Sequence, residues 1–319
     1  MESRKVIQFG KSSFVVSLPR EWVKKNNLSK GDSLYLNDLG NGELVLTNNN
    51  LKKSEPSEYA IDFPKDSDFD EKIKREIFFA YINNYKIIKV TGPGIKTNSL
   101  KVRDFFQNLA GLEILKQTSN AIVAHDLLDI SDLSLPQLVR RVDIICRSMM
   151  RDTIECVGQT NIDHHNIYKR DEDVNRLVYL TTKIIKKAMI DSTYARKIKT
   201  SDLDLIEYKL FIHNIERIAD QCKRICRDLA SFRISTKDKN ILKELYSDVE
   251  KEYLDIMKSY YNKNRNLAHN VLNGSKAFLD KCDGSLVKVS SHRSILIIEK
   301  LRISHICVRH IGRVILKVF

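Results

Sequence analysis

Residues 4–47 read RKVIQFGKSSFVVSLPREWVKKNNLSKGDSLYLNDLGNGELVLT, and this stretch decides the architecture of the N-terminal part of the chain. The pattern predicts two short strands, a short helix with a proline in its first turn, and two more strands joined by a turn that contains glycine. The predicted segments are Val6–Phe9, Ser13–Leu18, Pro19–Asn26, Ser33–Leu36 and Glu43–Thr47. About 45 residues in such short elements cannot bury a sufficient core. We therefore expect residues 1–50 to pair with a second copy or to pack against another domain.

Three landmarks in this stretch resemble the AbrB/SpoVT/MazE family. They are Gly10-Lys11-Ser12, Leu18-Pro19-Arg20, and Leu28 placed three residues before Gly31-Asp32. Two chains of that family interlock into a dimeric, swapped-hairpin β-barrel that binds DNA. The resemblance thus implies a homodimer through residues 1–50, with double-stranded DNA as the partner. The side chains that we expect to face DNA phosphates are those of Arg4, Lys5, Lys11, Ser12, Arg20 and Lys24.

The bulk composition is that of an ordinary globular protein with a basic bias. The chain has 319 residues, enough for two to four domains, a net charge of +13 and a sequence pI of about 9.3. This charge suits a polyanionic partner, but a lysine-rich solvated surface would produce it as well. We expect no membrane insertion, because no apolar run approaches the roughly 20 residues that a span needs. The N-terminus has no apolar signal segment, and the six cysteines form no C-x-x-C pair, so we expect a cytoplasmic protein with reduced core thiols.

Residues 51–132 are predicted to form a polar linker followed by a small α/β connector. The connector has the order β-α-β-α-β-β, which is typical of a two-layer sandwich. Its predicted elements are Tyr59–Phe63, Asp68–Asn84, Lys86–Val90, Asn98–Leu109, Leu112–Gln117 and Ala121–Leu127. We interpret Gly92-Pro93-Gly94 as a structural turn, since the G-x-x-x-x-G-K-[ST] run of a phosphate loop is absent.

From Ser134 onward, apolar residues recur at the spacing of long, packed helices. Ser201 and Asp204 form a capping box at the start of the third helix. The predicted helices begin and end near 134–158, 168–190, 201–232, 239–262, 266–282 and 291–318. Three helices followed by three helices indicate an internal repeat. We predict an all-α six-helix domain of two three-helix bundles, with boundaries at 133–236 and 237–319.

The third helix carries the run His213-Asn214-Ile215-Glu216-Arg217-Ile218-Ala219-Asp220. It resembles the Glu-Arg-Ile-x-Asp signature of the PhoU family, the regulators of phosphate uptake, which are built from two three-helix bundles in tandem. PhoU proteins hold metal clusters with such Glu-x-x-x-Asp pairs, which share one helix face. The resemblance therefore implies a divalent or iron-type metal ion at this pair. The predicted metal residues are Glu216, Asp220, His213 and Asp171.

A solvated face with local ion pairs is the alternative interpretation of these carboxylates, because Arg217 and Lys223 lie beside them. In the second bundle, Leu301 and His305 stand where the signature would place its Glu and Asp. We therefore expect no carboxylate metal site there.

Other candidate sites are weaker. Asp163-His164-His165 is interpreted as a polar loop, because adjacent residues rarely converge on one metal ion. Motifs of zinc proteases, di-iron bundles and serine hydrolases are absent from the sequence, so we expect no enzyme. The last helix is strongly basic, and Arg302, Arg309 and Arg313 lie on nearby faces. We expect a solvated helix face or a surface that docks an acidic protein or phosphate groups.

Together these features favour a cytoplasmic DNA-binding transcriptional regulator of the archaeal-type phosphate-uptake class, in which a PhoU-like domain senses phosphate status. A signalling adaptor is the alternative. Its N-terminal module would only dimerise, while the helical domain docks on a phosphate transporter or its ATPase. Seven basic and five acidic residues give residues 1–50 a net charge of only +2, which keeps the adaptor open.

Overall fold

The computed structural model describes residues 3–38, 42, 44–48, 57–65, 71–158, 165–231 and 234–318. The chain divides into two compact units, Met1–Ser57 and Glu58–Phe319. The predicted multidomain architecture, a small N-terminal β region followed by a mostly helical domain, is confirmed.

The first unit contains two separate antiparallel hairpins and one short helix. The elements are β1 (Ile7–Phe9), β2 (Ser13–Val15), α1 (Arg20–Lys25), β3 (Leu34–Asp38) and β4 (Leu44–Asn48). β1 pairs only with β2, and β3 only with β4, in the part of the unit that the structure describes. The predicted element order is therefore confirmed, with ends that differ by a few residues.

Two local features fix the geometry of this unit. Gly10 has a φ of +71°, and this left-handed conformation, which glycine tolerates best, turns the chain from β1 into β2. The side-chain amide of Asn26 donates to the Trp22 carbonyl oxygen at 2.8 Å and closes the end of α1. Asn48 then donates to the Asn26 carbonyl oxygen at 3.0 Å, which ties the end of β4 to α1.

The first unit has no core of its own, because none of its described residues is buried. Large apolar side chains are exposed on both hairpins: Phe9 is 71% exposed, Phe14 69% and Leu36 66%. Isolated two-stranded hairpins are at best marginally stable in water. The expectation that this unit needs a partner surface therefore has a direct structural basis.

The second unit begins with an α/β layer of four strands and two helices. Its elements are β5 (Glu58–Asp62), α2 (Glu71–Ile82), β6 (Ile87–Thr91), α3 (Ile95–Gln107), β7 (Leu112–Gln117) and β8 (Ala121–Asp126). The sheet order is β5-β6-β8-β7, with β5 parallel to β6 and the other pairs antiparallel. The predicted β-α-β-α-β-β order is confirmed, although α3 begins three residues before Asn98. A Cβ on Gly92 would collide with the backbone of Phe63, so the glycine is required by close packing.

The helical part follows without a break in the unit. Its helices are α4 (Leu135–Gly158), α5 (His165–Ile190), α6 (Ser192–Lys197), α7 (Asp202–Ser231), α8 (Thr236–Asn262), α9 (Arg265–Asn273), α10 (Ser275–Leu286) and α11 (His292–Val318). The capping box is present, since Ser201 N donates to Asp204 Oδ2 at 3.0 Å and Asp204 N donates to Ser201 Oγ at 3.2 Å. Short α6 was not predicted. The single helix predicted over 266–282 is two helices that meet at Gly274, a residue of low helix propensity.

Helices α4, α5 and α7 form the first bundle, and α8 to α11 form the second bundle. The two bundles share one continuous apolar core, because α7 packs against α11 as well as against α4 and α5. The six cysteines contribute to this core as buried free thiols, as expected. No helix in the described ranges combines the length and the apolar character that a membrane span requires. The finer division at 51–132, 133–236 and 237–319 stays a prediction.

A buried ion pair joins the α/β layer to the first bundle. Lys183 on α5 is 1% exposed, and its Nζ lies 2.6 Å from Oδ2 of Asp126 at the end of β8. Burial lowers the pKa of Lys183, while the Asp126 carboxylate opposes this shift. The rings of Phe78 on α2 and Tyr179 on α5 pack 4.7 Å apart beside it. The layer is therefore held to α5 by both charge and apolar contact.

Asp238, near the start of α8, connects the N-termini of α8 and α11. It is fully buried and accepts hydrogen bonds from Ser290 N at 3.2 Å, Ser291 N at 3.1 Å and Ser294 Oγ at 2.7 Å. Burial alone would raise the pKa of this carboxyl, but hydrogen bonds from Ser294, Ser290, Ser235 and Ser291 lower the pKa to about 2. A carboxylate so placed satisfies donors at a helix start that would otherwise be orphaned.

We predict that Asp238→Ala lowers the free energy of unfolding by about 2 kcal/mol, because buried donors lose their acceptor. Because the pKa is lower in the folded than in the unfolded chain, the contribution of Asp238 is present above about pH 4 and is lost as the pH falls toward about 2. Urea unfolding of wild type and Asp238→Ala at several pH values would measure both effects. Exposed Asp280→Ala is the matched control, and equal losses in the two variants would contradict the prediction.

Candidate functional site

The predicted DNA-facing residues occupy three places in the first unit. Lys11 and Ser12 lie in the turn between β1 and β2, and Arg4 and Lys5 lie just before β1. All four residues are exposed. The hairpin thus presents three basic groups, Lys11 at its turn and Arg4 and Lys5 before its first strand, all accessible to a polyanion.

The third place is helix α1. Arg20 and Lys24 are one helical turn apart, so they share a face, and both are exposed. The structure contains no nucleic acid, and the assignment of these six residues to a DNA interface stays a prediction. All six side chains are exposed, as contact with DNA requires.

The carboxylates of the PhoU-like signature form a second candidate site where α5 faces α7. Asp171 on α5 is buried, and Glu216 and Asp220 lie one turn apart on α7. Lys223, also on α7, extends between the two helices. Its Nζ lies 2.5 Å from Asp171 Oδ2 and 3.3 Å from Asp220 Oδ1. Arg224 adds a second cation, with its Nε 2.6 Å from Asp220 Oδ2.

The electrostatics of this site are those of a compensated acidic cluster. Burial raises the pKa of Glu216, and the nearby carboxylates of Asp220 and Asp171 raise it further. Burial also raises the pKa of Asp171, although Lys223 works in the opposite direction. The pKa of Lys223 is lowered by burial but raised overall by its bonds to the two aspartates. The ammonium group thus stabilises the charged form of the cluster.

His213 is only loosely connected to this cluster. Its Nδ1 lies 3.3 Å from Glu216 Oε2, and the side chain is largely exposed. Burial, together with the charges of Lys209 and Arg217, lowers the pKa of His213. The four predicted metal residues are therefore near one another along α7 and α5 but do not converge on one point.

The arrangement as it stands does not fit a metal ion. No group of three or more His, Cys, Asp or Glu side chains is placed to hold one among the residues that the structure describes. The Lys223 ammonium instead supplies the positive charge between Asp171 and Asp220. The ion-pair interpretation describes this geometry, and a metal at Glu216 and Asp220 stays a prediction. The sequence signal for Lys223 was its position three residues after Asp220, although only the fold brings Asp171 to it.

In the second bundle, His305 forms a buried polar array with Ser275 and Glu252. The Nε2 atom of His305 lies 2.8 Å from Ser275 Oγ, and its Nδ1 lies 2.6 Å from Glu252 Oε2. The order Ser-His-Glu is that of acyl-transfer triads. Here, however, His305 is fully buried with its ring stacked on Phe278 at 4.5 Å, and Ser275 is 5% exposed. The array is a satisfied core network.

The basic residues of α11 differ from one another in their surroundings. Arg302 forms ion pairs with Asp283 and with Glu299, the latter at 3.0 Å. Arg309 and Arg313 have no such carboxylate partner in the described ranges. Of the Asp163-His164-His165 segment, the first two residues lie outside the described residues, and His165 begins α5.

Comparisons with known proteins match these two parts of the chain. Residues 7–56 match the family described as antidote-toxin recognition MazE, bacterial antitoxin, and residues 139–229 match the PhoU domain. The crystal structure of PhoU from Pseudomonas aeruginosa is similar at 12% identity with a TM-score of 0.45, over 58% of this chain and 91% of that chain. A comparison with curated proteins gave no match.

The matched domains belong to regulatory, non-enzymatic families. Residues 7–56 thus resemble a MazE/AbrB-like domain and residues 139–229 resemble a PhoU domain, and the predicted resemblance is confirmed.

We predict that Lys223→Met exposes a latent metal site. Removal of the ammonium leaves Asp171 and Asp220 without their shared cation, so the variant should unfold at a lower temperature than wild type. Added Mn²⁺ or Zn²⁺ should raise the unfolding temperature of Lys223→Met but not of wild type or of exposed Lys258→Met. Elemental analysis tests the opposite outcome, in which the wild-type protein itself binds a metal ion. Metal in the wild type that disappears in Glu216→Gln with Asp220→Asn would establish the metal and refute the role of Lys223.

Proposed function

We propose that this protein is a DNA-binding transcriptional regulator of phosphate uptake. Two copies of the first unit pair into one DNA-binding barrel, and the PhoU domain senses phosphate status through a partner and shifts the affinity for DNA. The two family matches support a phosphate-related regulator. The mechanism is binding, with no chemical step assigned to any residue.

The observation that carries this proposal is the lack of a core in the first unit. Phe9, Phe14, Leu36 and Leu44 are more than half exposed in a single chain. Complete burial of such a side chain contributes about 1.5–3 kcal/mol, so covering these four gives a substantial driving force for pairing. A second copy offers the same surfaces, and antiparallel hairpins from two chains can join through their free edges. The unit therefore folds fully only as a dimer.

Dimerisation would also account for DNA binding by a domain of low net charge. Each protomer brings Arg4, Lys5, Lys11, Arg20 and Lys24, so a dimer presents ten basic groups together with the two Ser12 hydroxyls. Contacts of this kind neutralise phosphates and release counterions, which makes affinity dependent on salt. They position the protein, while specificity requires additional contacts to base edges.

The PhoU domain supplies the regulatory part of the proposal. A phosphate transporter component is the partner that we propose for it. Helix α7 belongs to the first bundle and also packs against α11 of the second bundle. A partner that displaces α7 would therefore affect the core of both bundles. The homodimer places two such domains in one complex, and their response can change how the first units engage DNA.

We predict that Phe14→Glu converts the dimer to a monomer. A carboxylate at this exposed apolar position opposes burial at the proposed interface. Light scattering after size-exclusion chromatography gives the mass. Leu100→Glu is the matched control, since Leu100 is 70% exposed on α3 in the other unit. Deletion of residues 1–57 should act like Phe14→Glu, and a deleted protein that stays dimeric would place the interface in the helical domain.

We predict a steep salt dependence for binding of duplex DNA. Six phosphate contacts give a slope of log affinity against log salt of about −5. Lys11→Ala should make the slope shallower by about two in the dimer, whereas changes at Lys52 or Lys53 in the linker should have little effect. Upstream fragments of phosphate-transport operons should bind more tightly than random duplex. Equal affinities at every salt concentration would instead favour the adaptor, in which the first unit only dimerises.

A further inference from the structure

A cluster of basic side chains that form no ion pair with the described residues lies where α7 packs against α11. We propose that this cluster, formed by Arg217, Arg309, His310 and Arg313, binds a small anion that carries two or more phosphoryl groups. The site lies where α7 meets α11, whereas Lys223 pairs with Asp171 and Asp220 where α7 meets α5. The site also lies in the second unit, so its test does not depend on DNA binding by the first.

The placement of these groups follows from helix packing. Arg309 and Arg313 are one turn apart on α11, with His310 beside them, and α7 contributes Arg217 from across the helix contact. Burial lowers the pKa of His310, and the charges of Arg313, Arg217 and Arg309 lower it further. Three arginines from two packed helices therefore lie near enough to His310 to act on its charge.

The cluster continues along one edge of α7. Lys209 and His213 precede Arg217 at intervals of four residues, which places all three on one helix face. Lys209 donates to Thr182 Oγ1 at 2.7 Å, and His213 lies beside Glu216. Arg217 lowers the pKa of both His213 and His310. It is thus the common neighbour of the two histidines.

The three arginines of the cluster form no ion pair with the protein in the described parts of the chain. The nearby acid is Glu216, the neighbour of Arg217 on α7. Burial raises the pKa of Glu216, and Arg217 opposes this shift from beyond ion-pair distance. The Nε atoms of Arg309 and Arg302 are both buried without a hydrogen-bond acceptor. Arg302, which lies on the same helix as Arg309, also has two carboxylate partners, whereas Arg309 forms no ion pair with the described residues. A buried donor without a partner is costly, so an incoming anion would relieve an existing deficit.

The residue types indicate the class of ligand. Guanidinium groups bind phosphate oxygens through paired hydrogen bonds, and three of them suit an anion with several charges better than a single carboxylate. Arg309 and Arg313 span one helical turn, about 6 Å. This extent matches a pyrophosphate or triphosphate chain, whereas duplex DNA or an acidic peptide would require a longer charged surface. We therefore assign the site to a free oligophosphate-type anion.

Proton uptake should accompany binding. The groups that face His310 are the cations Arg217, Arg309 and Arg313, and Glu216 is the acid beside Arg217 on α7. Burial and the three cations lower the pKa of His310, which disfavours its protonated form. A bound polyanion offsets the positive charge of the arginines and raises the pKa of His310. The affinity should therefore increase as the pH falls from 8 to 6.

Isothermal titration calorimetry of the full chain with inorganic triphosphate, pyrophosphate and orthophosphate tests the proposal. We expect affinity in the order triphosphate, pyrophosphate, orthophosphate. Arg309→Gln and Arg313→Gln should each weaken triphosphate binding by about tenfold or more. Arg141→Gln and Lys258→Gln, exposed changes elsewhere on the bundles, should leave it unchanged. His310→Gln should flatten the pH dependence, and thermal melts confirm that each variant is folded.

Three results would overturn the proposal. The first is no heat of binding with millimolar triphosphate at pH 6. The second is equal weakening by the cluster and control variants, which would indicate a general effect of net charge. The third is a binding site that remains intact in the Arg217→Gln, Arg309→Gln, Arg313→Gln triple variant. Displacement of triphosphate by an acidic peptide at lower concentration would instead assign the cluster to a protein partner.

Discussion

The organisation of this protein depends on one constraint: the first unit cannot bury its apolar side chains within a single chain. Two hairpins and a helix of six residues leave every described side chain of that unit at least partly exposed. The hydrophobic effect then favours association, and association multiplies the few basic groups that the unit carries. The lack of a core makes the unit unstable alone. It also brings the basic groups of two chains together, and this favours binding of a polyanion by a weakly charged domain.

Helix α7 has the corresponding central position in the second unit, because it belongs to the first bundle and packs on the second. The charged side chains on its two polar faces differ in whether they are paired with opposite charges. On the side of α5, Lys223 and Arg224 neutralise Asp171 and Asp220 internally. On the side of α11, Arg217 forms no ion pair with the described residues. One helix therefore carries both an internally paired cluster and the arginine of the anion site that we propose.

Periodicity and turn residues predicted the elements well, because they act locally. Ser201 with Asp204 marks the start of α7, and Gly10 marks the first turn, without reference to the rest of the fold. The candidate sites were predicted less completely. A Glu-x-x-x-Asp spacing fixes one helix face, yet the role of Lys223 depends on Asp171 from another helix. Arg217 and Arg309 are 92 positions apart in the numbering, and only the packing of α7 on α11 relates them.

The Lys183–Asp126 pair has a mechanical consequence. Sliding the sheet away from α5 would separate the Lys183 ammonium from its carboxylate, while Asp126 would keep Lys86 at 3.4 Å. Leaving a buried charge without its partner typically costs about 3–5 kcal/mol. We therefore expect the four-stranded layer to move together with the first bundle. A rotation of α5 would then displace the sheet, and the displacement would increase with distance from the pair. The edge strand β5, which β6 separates from β8, would move farther than β8.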